Sequence, residues 1–315
     1  MARAFVFPGQ GSQAVGMGRD LADAFPAARR VFGEVDEALH QNLSRLMFEG
    51  PEDELTLTEN AQPALMAVSL AVVRTLAEGG AEVAAACPFV AGHSLGEYSA
   101  LTAAGALKLA DAGRLLKVRG QAMQRAVPVG EGAMAALIGL DLGDVIEVAA
   151  AAVAGSQDEV CAAANDNAPG QVVVSGSRAA VERAVAIAAE RGAKRGVMLP
   201  VSAPFHCALM APAAEVMAES LKAVSLKAPV VPLIANVTAE PVRDPDVIRR
   251  LLVEQVTTMV RWRESVLYMV DHGIDTLVEL GAGRVLTGLA RRINRDLTAM
   301  AIQTPADIES LFATL

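Results

Sequence analysis

Residues 92–96 read Gly-His-Ser-Leu-Gly, a serine between two glycines. The apolar run before it, residues 84–91, is expected to form a short buried strand, and residues 97–104 have helix composition. A serine on a tight turn between strand and helix is the setting of a nucleophile elbow. The glycines permit the sharp turn and keep bulk away from the hydroxyl, which stands where free helix N–H groups favour developing negative charge. Such a serine forms acyl intermediates, and it needs a base.

Four histidines could supply one. His40 lies in a polar helical stretch and reads as a surface residue. His272 precedes a glycine at a helix end and reads as a cap. His93 adjoins Ser94, but neighbours on a tight turn point apart, so it is expected to shape the site. His206 follows Ser202-Ala203-Pro204-Phe205 at the entry to a helix, at a strand-to-helix junction of the kind where active-site residues collect. It lies 112 positions after Ser94, and the order Ser then His is that of α/β-hydrolase-type enzymes. Cys207 beside it reads as a buried hydrophobe rather than a nucleophile. No Asp or Glu stands out as a third member, and a backbone carbonyl can hold the histidine tautomer instead.

Acyl transfer also needs two donors aimed at the oxyanion. The N–H of Leu95, after the nucleophile, is one. The N–H of Gln10, in the turn Pro8-Gly9-Gln10-Gly11, is the other. No Gly-Lys-Ser/Thr follows that turn, which excludes a P-loop. Arg119 sits in a largely apolar helix, where two readings stand: a snorkelling surface residue, or, near the serine, a bidentate clamp for a carboxylate.

The elements that must position these groups follow from composition and pattern. The 315 residues are 53% hydrophobic and 20% charged, so a substantial core can be buried. Aromatics are only 3%, which leaves no stacking platforms for nucleic acid, and the net charge of −9 argues against a general polyanion binder. The three cysteines form no CxxC pair, so neither a disulfide framework nor a zinc site is expected. No signal-peptide core and no membrane-length apolar stretch is present, and a soluble cytoplasmic protein is the simplest expectation.

Strand 2–7 is followed by helical patterns to about residue 80, with Pro51 and Pro63 as breaks. The elbow and a helix through Met123 come next. A parallel sheet covered on both faces is expected. The middle of the chain has another rhythm: strand 133–140, helix 144–154, strand 160–164, a turn at 165–170, strand 171–175, helix 178–190 and strand 196–200. That βαββαβ order is ferredoxin-like. Residues 128–199 are therefore expected to be an inserted subdomain, and 1–127 with 200–315 an α/β-hydrolase-like core. In the latter, a helix at 208–224, a strand at 230–235, helices at 245–271 and a strand at 276–280 complete the reading.

Taken together, several segments resemble the malonyl-CoA:acyl-carrier-protein transacylases and the acyltransferase domains of polyketide synthases. They are Phe7-Pro8-Gly9-Gln10-Gly11-Ser12-Gln13, Gly92-His93-Ser94-Leu95-Gly96-Glu97-Tyr98-Ser99, Val118-Arg119-Gly120, Asn165-Asp166-Asn167-Ala168-Pro169-Gly170-Gln171, Pro204-Phe205-His206, Val260-Arg261-Trp262 and Glu279-Leu280-Gly281-Ala282-Gly283. The resemblance covers almost the whole chain. It implies Ser94 as nucleophile, His206 as base, the Gln10 and Leu95 amides as oxyanion hole, and Arg119 as partner of the malonyl carboxylate. It implies that the Gln255 backbone carbonyl orients the histidine and that Phe205, with Met123, lines the acyl site, with Phe205 favouring malonyl over branched groups.

The substrates implied are malonyl-CoA and the phosphopantetheine thiol of acyl carrier protein, with neither metal nor cofactor. Related malonate-decarboxylase-type and polyketide-type transacylases share these motifs, and a serine thioesterase on the same core is the alternative reading. Lys194-Arg195 and Arg291, Arg292 and Arg295 are candidate docking patches for the acidic carrier. A monomer is expected, with no nucleic-acid or membrane partner.

Overall fold

The computed structural model describes residues 2–314. Among these residues ten strands form two sheets. The large sheet contains β1 (Arg3–Phe7), β2 (Val90–Gly92), β7 (Leu233–Ile234), β8 (Pro241–Val242), β9 (Thr276–Leu280) and β10 (Thr298–Ile302). Its order is β10-β9-β1-β2-β7-β8, and every pair is parallel except β7 with the edge strand β8. Strands β1 and β9 are buried along their whole length, as parallel strands covered on both faces must be. One face packs on the 21-residue helix Thr58–Glu78, whose Leu65, Met66 and Leu70 are almost solvent-free. The other carries Trp262, Val266 and Met269 from the helix Trp262–Asp271, and Leu286 and Leu289 from the helix Val285–Ile293.

The small sheet contains β3 (Gly132–Ile138), β4 (Cys161–Ala168), β5 (Gln171–Ser177) and β6 (Arg195–Met198). It is antiparallel, in the order β4-β5-β3-β6, with the helices Leu142–Ala152 and Arg178–Glu190 in the two crossovers. Leu137, Val145, Val148, Val174 and Val181 form its own core. This is the βαββαβ arrangement, and the molecule is of the mixed α/β class. Polar contacts cross the seam between the sheets, beside an apolar cluster that includes Ala168 and Trp262. Asp166 N donates to Val260 O and Val260 N to Ala164 O, each at 2.9 Å, while Arg263 Nε donates to the buried Asp166 carboxylate at 2.8 Å. Among the described residues no helix is long and apolar enough to cross a membrane.

Several sequence expectations are corrected. Residues 84–91 are not one strand: Val83–Ala86 is a helical turn, and pairing begins only where Phe89 O and Val90 N reach Phe5 and Pro232. The alanine run favours helix, and the strand keeps just the residues that find partners. Pro63 does not break its helix but lies inside it. The missing backbone bond is tolerated because nearly every neighbour on that helix is buried. The expected turn at 165–170 shrinks to Pro169-Gly170, because β4 continues through irregular pairing to Ala168. Only Leu233–Ile234 of the expected strand 230–235 forms regular strand. Strand β10 and the helices Val285–Ile293 and Pro305–Phe312 have no counterpart among the sequence expectations; in β10 the two alanines of Thr-Ala-Met-Ala-Ile dilute the strand preference of its Thr and Ile.

Candidate active site

The elbow joins the end of β2 to the helix Gly96–Ala103, with Ser94 at φ 54°. The two glycines act by close approach. A Cβ on Gly92 would collide with the Gly96 carbonyl, and one on Gly96 with the carbonyl of Phe7 in β1. A positive φ on a non-glycine residue is strained, and local hydrogen bonds hold it. Asn236 Oδ1 accepts from Ser94 N at 2.8 Å, and Asn236 Nδ2 donates to Gly92 O at 2.7 Å. His93 N donates to Phe7 O at 3.0 Å, and the His93 Nε2 edge meets Asn167 Oδ1 at 2.9 Å, tying the elbow to the small sheet. His93 thus shapes the site and does not face Ser94 as its base.

His206 Nε2 lies 2.8 Å from Ser94 Oγ, and His206 Nδ1 donates to the backbone carbonyl of Gln255 at 2.8 Å. The second bond fixes the tautomer and leaves Nε2 free to accept the hydroxyl proton. His206 lies between a strand and a helix, on the irregular connection from β6 to the helix Ala211–Lys222, with φ 60°. That connection leans on the small sheet: a Cβ on Gly132 would collide with the Pro204 ring, and Leu199 N donates to Met134 O at 2.9 Å. Burial, reinforced by the charge of Arg119, lowers the His206 pKa to about 3, although the Gln255 carbonyl pulls the other way. The imidazole is therefore neutral and ready to accept a proton at ordinary pH.

Arg119 is 1% exposed, so the snorkelling reading fails. Its Nη2 donates to Ser94 Oγ at 3.1 Å and to Gln255 Oε1 at 2.8 Å, and Nη1 donates to Gln62 Oε1 at 2.8 Å. All three acceptors are neutral. Among the described residues no carboxylate pairs with this guanidinium. The Tyr98 ring lies 5.9 Å away. A buried cation without a direct ion-pair partner is an anion-binding group in a low-dielectric setting.

These groups line a cleft of about 330 Å³ between the sheets. Gln10, Ser94, Leu95, Arg119, Met123, Phe205 and His206 all face it. Among the described residues the Gln10 and Leu95 amides have no hydrogen-bond partner. The turn carrying Gln10 is pressed against the elbow, since a Cβ on Gly9 would meet His93 O at 2.8 Å. Gln255 lies behind the cleft, fully buried.

Three buried residues of the site escaped the sequence reading. Gln62 braces Arg119, Asn236 holds the elbow, and Glu97 accepts from Asn236 N at 2.5 Å and from Gln255 Nε2 at 2.6 Å. Glu97 carried a signal, being the one charged residue of its helix. The other two carried none, because their partners are distant in sequence. His272 caps its helix and stacks on Tyr268, His40 caps another, and Cys207 is buried with its thiol pushed up by burial. Among the described residues no group of His, Cys, Asp and Glu is placed to hold a metal ion.

The acyl transferase domain model matches residues 4–303. A malonyl CoA-acyl carrier protein transacylase of Bacillus subtilis is 46% identical over 312 residues, covering 99% of this chain and 96% of the relative. The crystal structure of an acyl-carrier-protein S-malonyltransferase from Bartonella henselae superposes with TM-score 0.97 at 56% identity, covering 100% of this chain and 99% of that one. A malonyl-transacylase solved in complex with a type II PKS acyl-carrier protein gives TM-score 0.96 at 42% identity, with 100% of both chains covered. A match this long, running through the elbow, the arginine helix and the histidine connection alike, means that the chain belongs to the acyl transferase domain family.

Proposed function

We propose that the protein transfers a malonyl group from malonyl-CoA to the phosphopantetheine thiol of an acyl carrier protein, through a malonyl ester on Ser94, in support of fatty acid synthesis. The observation that carries the reading is the buried guanidinium 3.1 Å from the nucleophile. It lies where an acyl group on Ser94 would extend, and it rewards a terminal carboxylate there.

In the first half-reaction, Ser94 Oγ attacks the thioester carbonyl as His206 Nε2 takes its proton. The Gln10 and Leu95 amides receive the oxyanion, and Arg119 grips the far carboxylate with Gln62 and Gln255 behind it. The intermediate collapses, the CoA thiolate leaves with the proton from His206, and the malonyl ester remains. In the second, the carrier thiol gives its proton to His206, its thiolate attacks the ester, and the proton returns to Ser94 Oγ. One thioester is exchanged for another, so the chemistry requires no resident metal or redox group. Phe205 and Met123 bound the acyl site, and bulk at Phe205 disfavours an α-methyl group.

An acidic carrier needs basic ground on a chain of net charge −9. Gln171 lines the cleft and accepts from Arg292 at 2.6 Å; Ile138 pairs with Gln171 on one side and Arg195 on the other. Lys194, Arg195, Arg291, Arg292 and Arg295 are all exposed. We assign carrier docking to this basic ground around the corner at Gln171. The relative solved with a carrier protein supports a carrier as acceptor.

Intact-mass measurement after mixing with malonyl-CoA tests the proposal. A malonyl adduct is expected on the protein, absent in Ser94→Ala and discharged by holo carrier protein. Hydrolysis of malonyl-CoA as fast as transfer to the carrier would instead identify a thioesterase.

A further inference from the structure

Glu97 is 1% exposed and has no ion-pair partner among the described residues. Burying a carboxylate is costly unless strong hydrogen bonds compensate. Burial pushes its pKa up to about 8, against the pull of the Asn236 and Gln255 N–H groups and the charge of Arg119. Both carboxylate oxygens are engaged, Oε1 by Asn236 N at 2.5 Å and Oε2 by Gln255 Nε2 at 2.6 Å.

The two donors belong to residues that hold the site. Asn236 binds the elbow at Ser94 N and Gly92 O. The Gln255 amide touches more. Its Nε2 also donates to Ser94 O at 2.9 Å, and its Oε1 accepts from Arg119 at 2.8 Å. Only one orientation of that amide satisfies these neighbours. Reversed, its NH₂ would face the guanidinium donors, and its oxygen would face the Glu97 carboxylate and the Ser94 carbonyl.

We propose that Glu97 is a positioning residue for malonyl selection: by accepting from the Gln255 amide it fixes which way that amide points, and so aims the Arg119 guanidinium at the acyl group on Ser94. The inference rests on the reading of Arg119 as the carboxylate clamp. Filling space would not require a carboxyl group that accepts from two donors, since an apolar side chain costs less to bury.

The experiment measures Ser94 acylation by malonyl-CoA and by acetyl-CoA in the full-length protein, with thermal melts alongside. In Glu97→Gln the new side chain satisfies one donor and confronts the other with its own NH₂. Malonyl kcat/KM is expected to fall about 10- to 100-fold, and acetyl kcat/KM less, so that the malonyl preference drops about tenfold. Gln255→Met keeps the main-chain carbonyl for His206 but removes the amide, and should lose the same preference. Adding Glu97→Gln to Gln255→Met should then cost no further preference, because the effect passes through that amide.

An unchanged preference in Gln255→Met overturns the proposal, and this variant decides should Glu97→Gln not fold. Equal loss of both rates in Glu97→Gln with a lowered melting temperature also overturns it, since that is a structural effect. A wild-type protein that forms no malonyl adduct would defeat the functional reading itself, before any variant is compared.

Discussion

The two halves of the catalytic pair are held in opposite ways. Ser94 sits on a rigid elbow between a central strand and a buried helix, where glycine contacts and the Asn236 side chain leave the backbone no alternative. His206 rides on an irregular connection whose path is set by packing on the small sheet and by the backbone carbonyl of Gln255. The nucleophile is thus clamped by close backbone contacts around the elbow, and the base is held by packing on the small sheet. Damage to the first should appear as lost folding, and damage to the second as lost turnover.

The largest effects remove the pair itself. Ser94→Ala and His206→Ala should each lower transfer by about 10⁴-fold or more, and the double variant should be little worse than either, because the two act as a unit. Steady-state rates with holo carrier protein check this, and additive losses would mean that the two do not act together.

The glycines sharpen the contrast. Gly92→Ala forces a Cβ into the Gly96 carbonyl, backbone against backbone, and is expected to cost about 3 kcal/mol or to prevent folding. Gly132→Ala meets only the Pro204 ring, so the connection bearing His206 must shift. A smaller stability loss of about 1–2 kcal/mol is expected there, together with a disproportionate fall in kcat. Denaturant melts beside kinetics separate the two, and equal profiles would break the comparison.

The acid limb of the pH profile is a gentler probe. The folded His206 pKa lies at about 3, below its ordinary 6.5. The unfolded chain therefore binds a proton that the folded chain refuses, so this residue's contribution to stability falls as pH drops through 6.5 towards 3. In the folded protein the base stays neutral over the same range, and acetyl loading of Ser94 should lose no rate from its protonation near 6.5. Arg119→Ala removes the second cause of the depression but not the burial. Its acid limb should move upward without reaching 6.5, as pH–rate profiles with acetyl-CoA would show. An unmoved limb would mean that the guanidinium charge does not reach the imidazole.

The smallest effect concerns the link between the sheets. Asn167→Ala removes the acceptor facing His93 Nε2 and should cost about 1 kcal/mol, with a change in KM larger than that in kcat. Titration of malonyl-CoA against the loading rate would measure it, and a fall in kcat alone would place the link on the histidine side instead.

The same contrast explains what was legible in the sequence. The elbow was readable as a motif because its glycine, serine and glycine stand within five residues. The βαββαβ rhythm was readable because its strands and helices alternate cleanly. The strand before the elbow was overdrawn, since composition cannot tell which of eight apolar residues find a partner. Pro63 misled for the opposite reason, as deep burial outweighs a local preference. Arg119 could not be settled from its own helix, because the amides that bury it come from Gln62 and Gln255. Their roles exist only in three dimensions.

The partner of the imidazole is a main-chain carbonyl rather than a carboxylate. No substitution of the side chain at 255 can delete that acceptor, so ring orientation is robust to point mutation there. Without a full negative charge behind it, the imidazolium gains little stabilisation and is a reluctant intermediate. The centre is consequently matched to acyl donors whose leaving atom departs as a stable anion. A thiol with a pKa near 8.5 meets that condition, and an amine expelled from an amide, which must be protonated first, does not.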